Sequence, residues 1–139
     1  MIYSQTMNHE KLSGHLDDLS RLDNGAFVEG SEKSIVFGPD RFWPDNVMRC
    51  FYIPGGGVGN MHSHPWPHYI FVYQGEGSFT IDDVCYPVKS GSWVYVPDDA
   101  VHGFKNGSDT DQIIFLYNTN SYHVFDILKN RRLIIDIQF

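Results

Sequence analysis

From residue 34 onward the chain is cut into short runs by turn-forming residues, and this punctuation narrows its possible folds more than anything else. Strand-like runs fall at 34–37, 47–53, 68–73, 77–81, 85–88, 93–96, 101–105, 112–117 and 122–127. Between them stand Pro39, Pro54-Gly55-Gly56-Gly57, Gly75, Asp82-Asp83, Ser90-Gly91, Pro97-Asp98-Asp99 and Asn106-Gly107. Glycine supplies positive φ, proline removes a ladder donor, and Asn and Asp bond their own backbone, so each of these ends a strand. Short runs punctuated about every 8–12 residues predict an all-β sandwich or small barrel. No helical pattern of useful length interrupts them, which excludes a parallel βαβ sheet. A chain of 139 residues fits one such domain and buries enough surface to fold without a disulfide or metal staple.

The flanks read differently. Residues 1–32 form an expected N-terminal arm, irregular or helical over 9–21, where Leu12, Leu16 and Leu19 make one helical stripe. Gly14 weakens that helix and Asn24-Gly25 ends it. The arm is expected across the outside of a sheet or against a partner chain. The barrel is assigned to 33–127. Residues 128–139, with Arg131-Arg132-Leu133-Ile134-Ile135-Asp136-Ile137, read as a final strand or tail packing on the barrel or on a partner, able to pair with an open sheet edge. Seventeen acidic against ten basic side chains argue against a nucleic-acid partner, which needs a basic stripe. No run reaches the roughly 20 apolar residues that span a bilayer, and no secretory signal is visible. The expectation is a cytoplasmic protein, with Cys50 and Cys85 as small core hydrophobes.

Four of the seven histidines fall within 41 positions: His62, His64, His68 and His102. In an extended chain His62 and His64 share a face, because side chains alternate with period two. His68 lies an even number of positions further on and faces the same interior if the Pro65-Trp66-Pro67 corner preserves parity. His102 can close the set from a later strand. Four such imidazoles point to one bound metal rather than to unrelated surface residues, whereas His9, His15 and His123 read as bystanders.

These residues resemble the cupins. Gly56, five residues, His62-x-His64, three residues, His68, six residues and Gly75 follow the first cupin motif, with His68 where the family has glutamate. Gly91, Pro97, His102 and Asn106 follow the second, with Asp99 in place of its glycine. Spacing agrees at eight of ten motif positions, across fifteen intervening residues. The resemblance implies a jelly-roll barrel, or double-stranded β-helix. It also implies one divalent transition metal inside (Fe, Mn, Zn or Ni), held by His62, His64 and His102, with His68 either a fourth ligand or outside a three-histidine set.

An all-imidazole set leaves an ion its full formal charge, which strengthens it as a Lewis acid. Candidate catalytic groups are Tyr52 and Tyr95, each with the alternative of a sheet-packing aromatic. Trp66 is a candidate rim residue, and Phe104 and Met48 are candidates for the pocket wall. Arg49 is expected either to pair with a substrate carboxylate or to make an ordinary outer-face ion pair. Alternation puts Met48, Cys50 and Tyr52 on one face, with Arg49, Phe51 and Ile53 on the other. The functional expectation is a metal-dependent, dioxygenase-like oxidoreductase acting on a small chelating substrate. The alternatives are a non-redox isomerase or lyase, a structural zinc, and a binding or sensing module without catalysis. A homodimer is expected from the resemblance.

Overall fold

A computed structural model describes residues 11–120. His9, His123, the run 122–127 and the tail at 128–139 lie outside the described residues. The strands are β1 (Leu22–Asp23), β2 (Glu32–Phe37), β3 (Asn46–Ile53), β4 (Val58–His62) and β5 (His68–Gln74). They are followed by β6 (Glu76–Ile81), β7 (Val84–Lys89), β8 (Trp93–Val96), β9 (His102–Asn106) and β10 (Ile113–Asn120). All pairings are antiparallel, in a six-stranded sheet ordered β1-β2-β3-β10-β5-β8 and a four-stranded sheet ordered β4-β9-β6-β7. The expected all-β jelly-roll architecture is what is observed.

Alternation decides which side chains meet between the sheets. Phe51 on β3 pairs with Phe115 on β10, which pairs with Val72 on β5. One rung along, Arg49, Tyr117, Ile70 and Val94 lie in register across four strands. From the opposite sheet Phe79 and Phe104 meet this layer, with ring centroids 4.9 Å apart and 5.5 and 5.3 Å from Phe115. Aromatic contacts at these separations and tilts add to the area they bury.

Beneath the N-terminal arm, the outer face of β3 is buried as well. Cys50, Tyr52 and Ile114 form a second cluster against Leu16, Val36 and Leu116. The Arg21 guanidinium lies 3.5 Å over the Tyr52 ring, which couples the arm to this face.

Three expectations are corrected. The described part of the 9–21 stretch is no helix, but one 3-10 turn, Leu16–Asp18. His15 caps that turn, with its side chain accepting from Asp17 N–H while Asp18 accepts from His15 N–H, and Leu12 is left exposed. With Gly14 before it and no apolar stripe buried, a longer helix has nothing to hold it. β4 is a strand absent from the runs read in the sequence: the turn at 54–57 stands, and directly after it Val58 and Gly59 pair with Lys105 and Phe104 of β9. Cys85 is exposed on β7, whereas Cys50 is buried as expected.

Asn106 closes the end of the barrel opposite the histidines. Its amide nitrogen donates to the carbonyls of Ile53, Pro54 and Asp111 at 3.3, 2.9 and 2.9 Å, and its oxygen accepts from Ser108 N–H at 2.9 Å. Asn106→Ala would remove a donor shared by three carbonyls, of which Pro54 O keeps the Gly57 N–H. Chemical denaturation should show a loss of about 1–2 kcal/mol, with metal binding by the folded fraction retained.

Candidate metal centre

His62 ends β4 and pairs in register with His102, which opens β9. His64 follows in the connection to β5, and His68 opens β5 beyond the Pro-Trp-Pro corner. The corner keeps parity, so His68 is fully buried on the inner face. Ring centroids are 4.4 Å apart for His62 and His102, 4.9 Å for His64 and His102, and 4.5 Å for His64 and His68.

Backbone carbonyls set the tautomers. His62 Nδ1 lies 3.0 Å from Asn60 O, His64 Nδ1 3.0 Å from Trp66 O, and His102 Nδ1 2.8 Å from Ala100 O. A carbonyl can only accept, so each Nδ1 carries the proton and each Nε2 keeps its lone pair. Three histidines are thereby locked as Nε2 donors to an ion, with the outer hydrogen bonds that orient metal-bound imidazoles. One ligand atom from each of His62, His64 and His102 lies within 4.8 Å of the others, and His102 Nε2 is buried without a hydrogen-bond partner. The residues fit a divalent transition metal held by imidazole nitrogen.

His68 stands apart from these three. Its Nε2 is 2.8 Å from His64 Nε2, and its Nδ1 is buried with no hydrogen-bond partner. Since His64 Nε2 is an acceptor, His68 Nε2 donates in this arrangement. Its ring also lies 4.1 Å from that of Tyr117.

Electrostatics follow burial. Desolvation, then the His102 and His62 rings, hold His64 down to about 4. Desolvation first, then the other imidazoles and Arg49, hold His68 far below the usual imidazole range. Desolvation also lowers His102, partly offset by the hydrogen bond to Ala100. On the adjoining rung, burial brings the Arg49 guanidinium down to about 10, partly offset by Tyr117. Burial pushes the Tyr117 phenol well up. The described interior therefore holds neutral imidazoles and one cation, with no buried Asp or Glu among the described residues.

The other candidates divide between the two faces. Arg49 is on the inner side, in register with Tyr117, not on the outer face. Phe104 also faces inward, but its ring neighbours are Phe79 and Phe115, so it forms the floor below the histidines. Trp66 is buried rather than a rim residue, stacked on His64 with centroids 4.4 Å apart and planes 10° from parallel. Tyr52 and Met48 share the opposite face of β3 with Cys50, and Tyr52 packs there under the arm, so neither lines the centre. Tyr95 is exposed on β8 beside Tyr69, because strand alternation turns it outward. The sequence reading missed Tyr117, although its parity with inward-facing Phe115 was available in the run 112–117.

A family model described as "Cupin domain" matches residues 48–117, just over half of the 139 residues. The chain belongs to the cupin family. Among curated proteins, this cupin is 26% identical over 105 residues to dimethylsulfoniopropionate lyase DddW of Ruegeria pomeroyi, with 76% of this chain aligned. The chain spans about 60% of the length of that relative. Among solved structures it is similar to the polyketide cyclase RemF from Streptomyces resistomycificus (TM-score 0.69, 20% identity, 80% of each chain). It is also similar to a predicted oxalate decarboxylase from Thermotoga maritima (TM-score 0.67, 18% identity, 78% of this chain and 98% of that one). These two likenesses establish the fold. Together, the fold and the three-histidine cluster support a metal-binding cupin.

Metal-free protein should lose stability as pH falls. His64 is held below its unfolded value of about 6.5, so between about pH 6.5 and 4 the unfolded chain binds more protons than the folded one. The stability from neutral, buried His64 is present above that window and declines through it, at up to about 1.4 kcal/mol per pH unit. Denaturant titrations of metal-free protein from pH 7.5 to 4.5 should show this fall, and His64→Gln should make it shallower, leaving the contributions of His68 and His102.

Proposed function

We propose that this cupin is a metal-dependent enzyme of the lyase or isomerase type, acting without net oxidation on a small carboxylate that chelates the ion. The observation that carries the reading is the pairing of three tautomer-locked imidazoles with one desolvated guanidinium, in an interior with no buried carboxylate among the described residues. A metal held by the imidazoles and the Arg49 guanidinium are two groups of the kind that bind a carboxylate. A divalent transition metal held by His62, His64 and His102 would supply Lewis acidity at a substrate oxygen. Arg49 would hold the carboxylate with paired N–H donors and fix the substrate's orientation. Trp66, stacked on His64, keeps that ring in place and excludes water behind it. His62, partly exposed, marks the open side of the centre.

His68 is proposed as the fourth ligand. The lone pair of His64 Nε2 cannot both accept from His68 and bind an ion, so His68 must change partner in the loaded site. Its Nε2 is 2.8 Å from that of His64, near the ~3.0 Å expected for two nitrogens at right angles around one ion.

The lyase relative supports a non-redox reaction over the dioxygenase expected from sequence, and its named substrate, a propionate, is the first compound to test. Zinc- or nickel-loaded protein should turn over such a carboxylate under argon. Oxygen uptake stoichiometric with product, by iron- or manganese-loaded protein only, would restore the dioxygenase reading. Recovery of every bound ligand chemically unchanged would leave a binding module.

Two substitutions check the residue roles. Arg49→Met should raise KM about 10- to 100-fold, with metal content unchanged, and Arg49→Lys should recover part of the loss. Metal analysis of purified protein should find about one ion per chain, far less in His102→Ala, and weakened retention in His68→Ala. Full retention in His68→Ala would reduce the set to three ligands.

A further inference from the structure

The four-stranded sheet ends at β7 and the six-stranded sheet at β8, and these two open edges diverge from the turn at Ser90-Gly91. A groove of about 710 Å³ lies between them, lined by Val84, Tyr86 and Val88 on one side and Trp93, Val94 and Tyr95 on the other. Among the described residues nothing covers it. Trp93 is 77% exposed, Val84, Tyr86 and Tyr95 are each near half exposed, and Val88 is the only buried residue of β7. A strand edge flanked by large apolar side chains is a template for another strand, and native proteins cover such edges.

Register shows which end of the groove the rest of the chain reaches. Asn118 of β10 is level with Tyr69 of β5, and Tyr69 with Tyr95 of β8. The described chain therefore stops, at Asn120, beside the carboxyl end of β8, two strand spacings or ~10 Å away. That end carries Asp82, Asp83, Asp98 and Asp99, all exposed. Nineteen residues remain, and ten extended residues would already span ~33 Å. In their last nine, Arg131-Arg132 precede Leu133, Ile135, Ile137 and Phe139, which alternate with Ile134, Asp136 and Gln138. Period-two alternation is the pattern of a strand with one apolar face.

We propose that residues 131–139 fill this groove in their own chain. They pair antiparallel with β8, with Leu133, Ile135, Ile137 and Phe139 turned into the groove and Arg131 and Arg132 at its acidic mouth. Entry from the carboxyl end of β8 dictates that direction. The acidic mouth and the two arginines fix which end of the segment lies there.

Trp93 reports occupancy. In a Trp43→Phe background, which leaves Trp93 and buried Trp66 as emitters, full-length protein should resist acrylamide quenching. A chain ending at Asn130 should be quenched severalfold more readily. Arg131→Glu/Arg132→Glu in the full-length chain should shift quenching the same way, which tests the proposal even if the shortened chain does not fold. Equal quenching of the full-length protein and both variants would overturn it. Light scattering alongside, over a hundredfold dilution, separates the sources: shielding that persists in the monomer supports the chain's own tail. Shielding lost on dissociation would assign the groove to a second copy and overturn the proposal.

Discussion

The layer of rings formed by Phe51, Phe79, Phe104, Phe115 and Tyr117 is what the rest of this barrel is built upon. It is the contact between the two sheets, and each ring comes from an alternating position of a different strand or register row. Replacing any of these rings would open a void that the neighbouring strands cannot collapse into. The four histidines lie toward one end of this layer and buried Asn106 closes the other. The layer also leaves His68, its ring tilted against that of Tyr117, in surroundings that do not favour its protonation.

Above that layer the backbone does the chemical selection. Three carbonyls, two residues before or after their histidines, determine which ring nitrogen is free. Metal binding then requires no tautomer change at His62, His64 or His102, which lowers the reorganisation it demands. His68 has no such carbonyl, and its Nε2 is held by His64 Nε2 instead.

The motif spacing made the barrel and its histidines legible, because turn residues and ligand spacing are both local properties of the chain. Facing was legible where a strand runs straight: alternation correctly separated Arg49, Phe51 and Ile53 from Met48, Cys50 and Tyr52. It could not say which face was the interior, since both faces of β3 are buried, one by the opposite sheet and one by the arm. Trp66 was misjudged for a related reason. A residue between two prolines looks unsuited to a core, yet the corner folds back so that its ring stacks on His64 and its carbonyl accepts the His64 proton.

By itself, then, the sequence determined the repeated strand–turn rhythm, the candidate ligands and their parity, since these depend on residues close together in the chain. Tertiary structure alone decided that Arg49 looks inward beside Tyr117, that Tyr95 and Met48 do not line the centre, and that β7 and β8 flank an open groove. Those outcomes depend on which strands become neighbours. Pairing β10 between β3 and β5, and closing one sheet over the other, is a choice made by the whole chain at once.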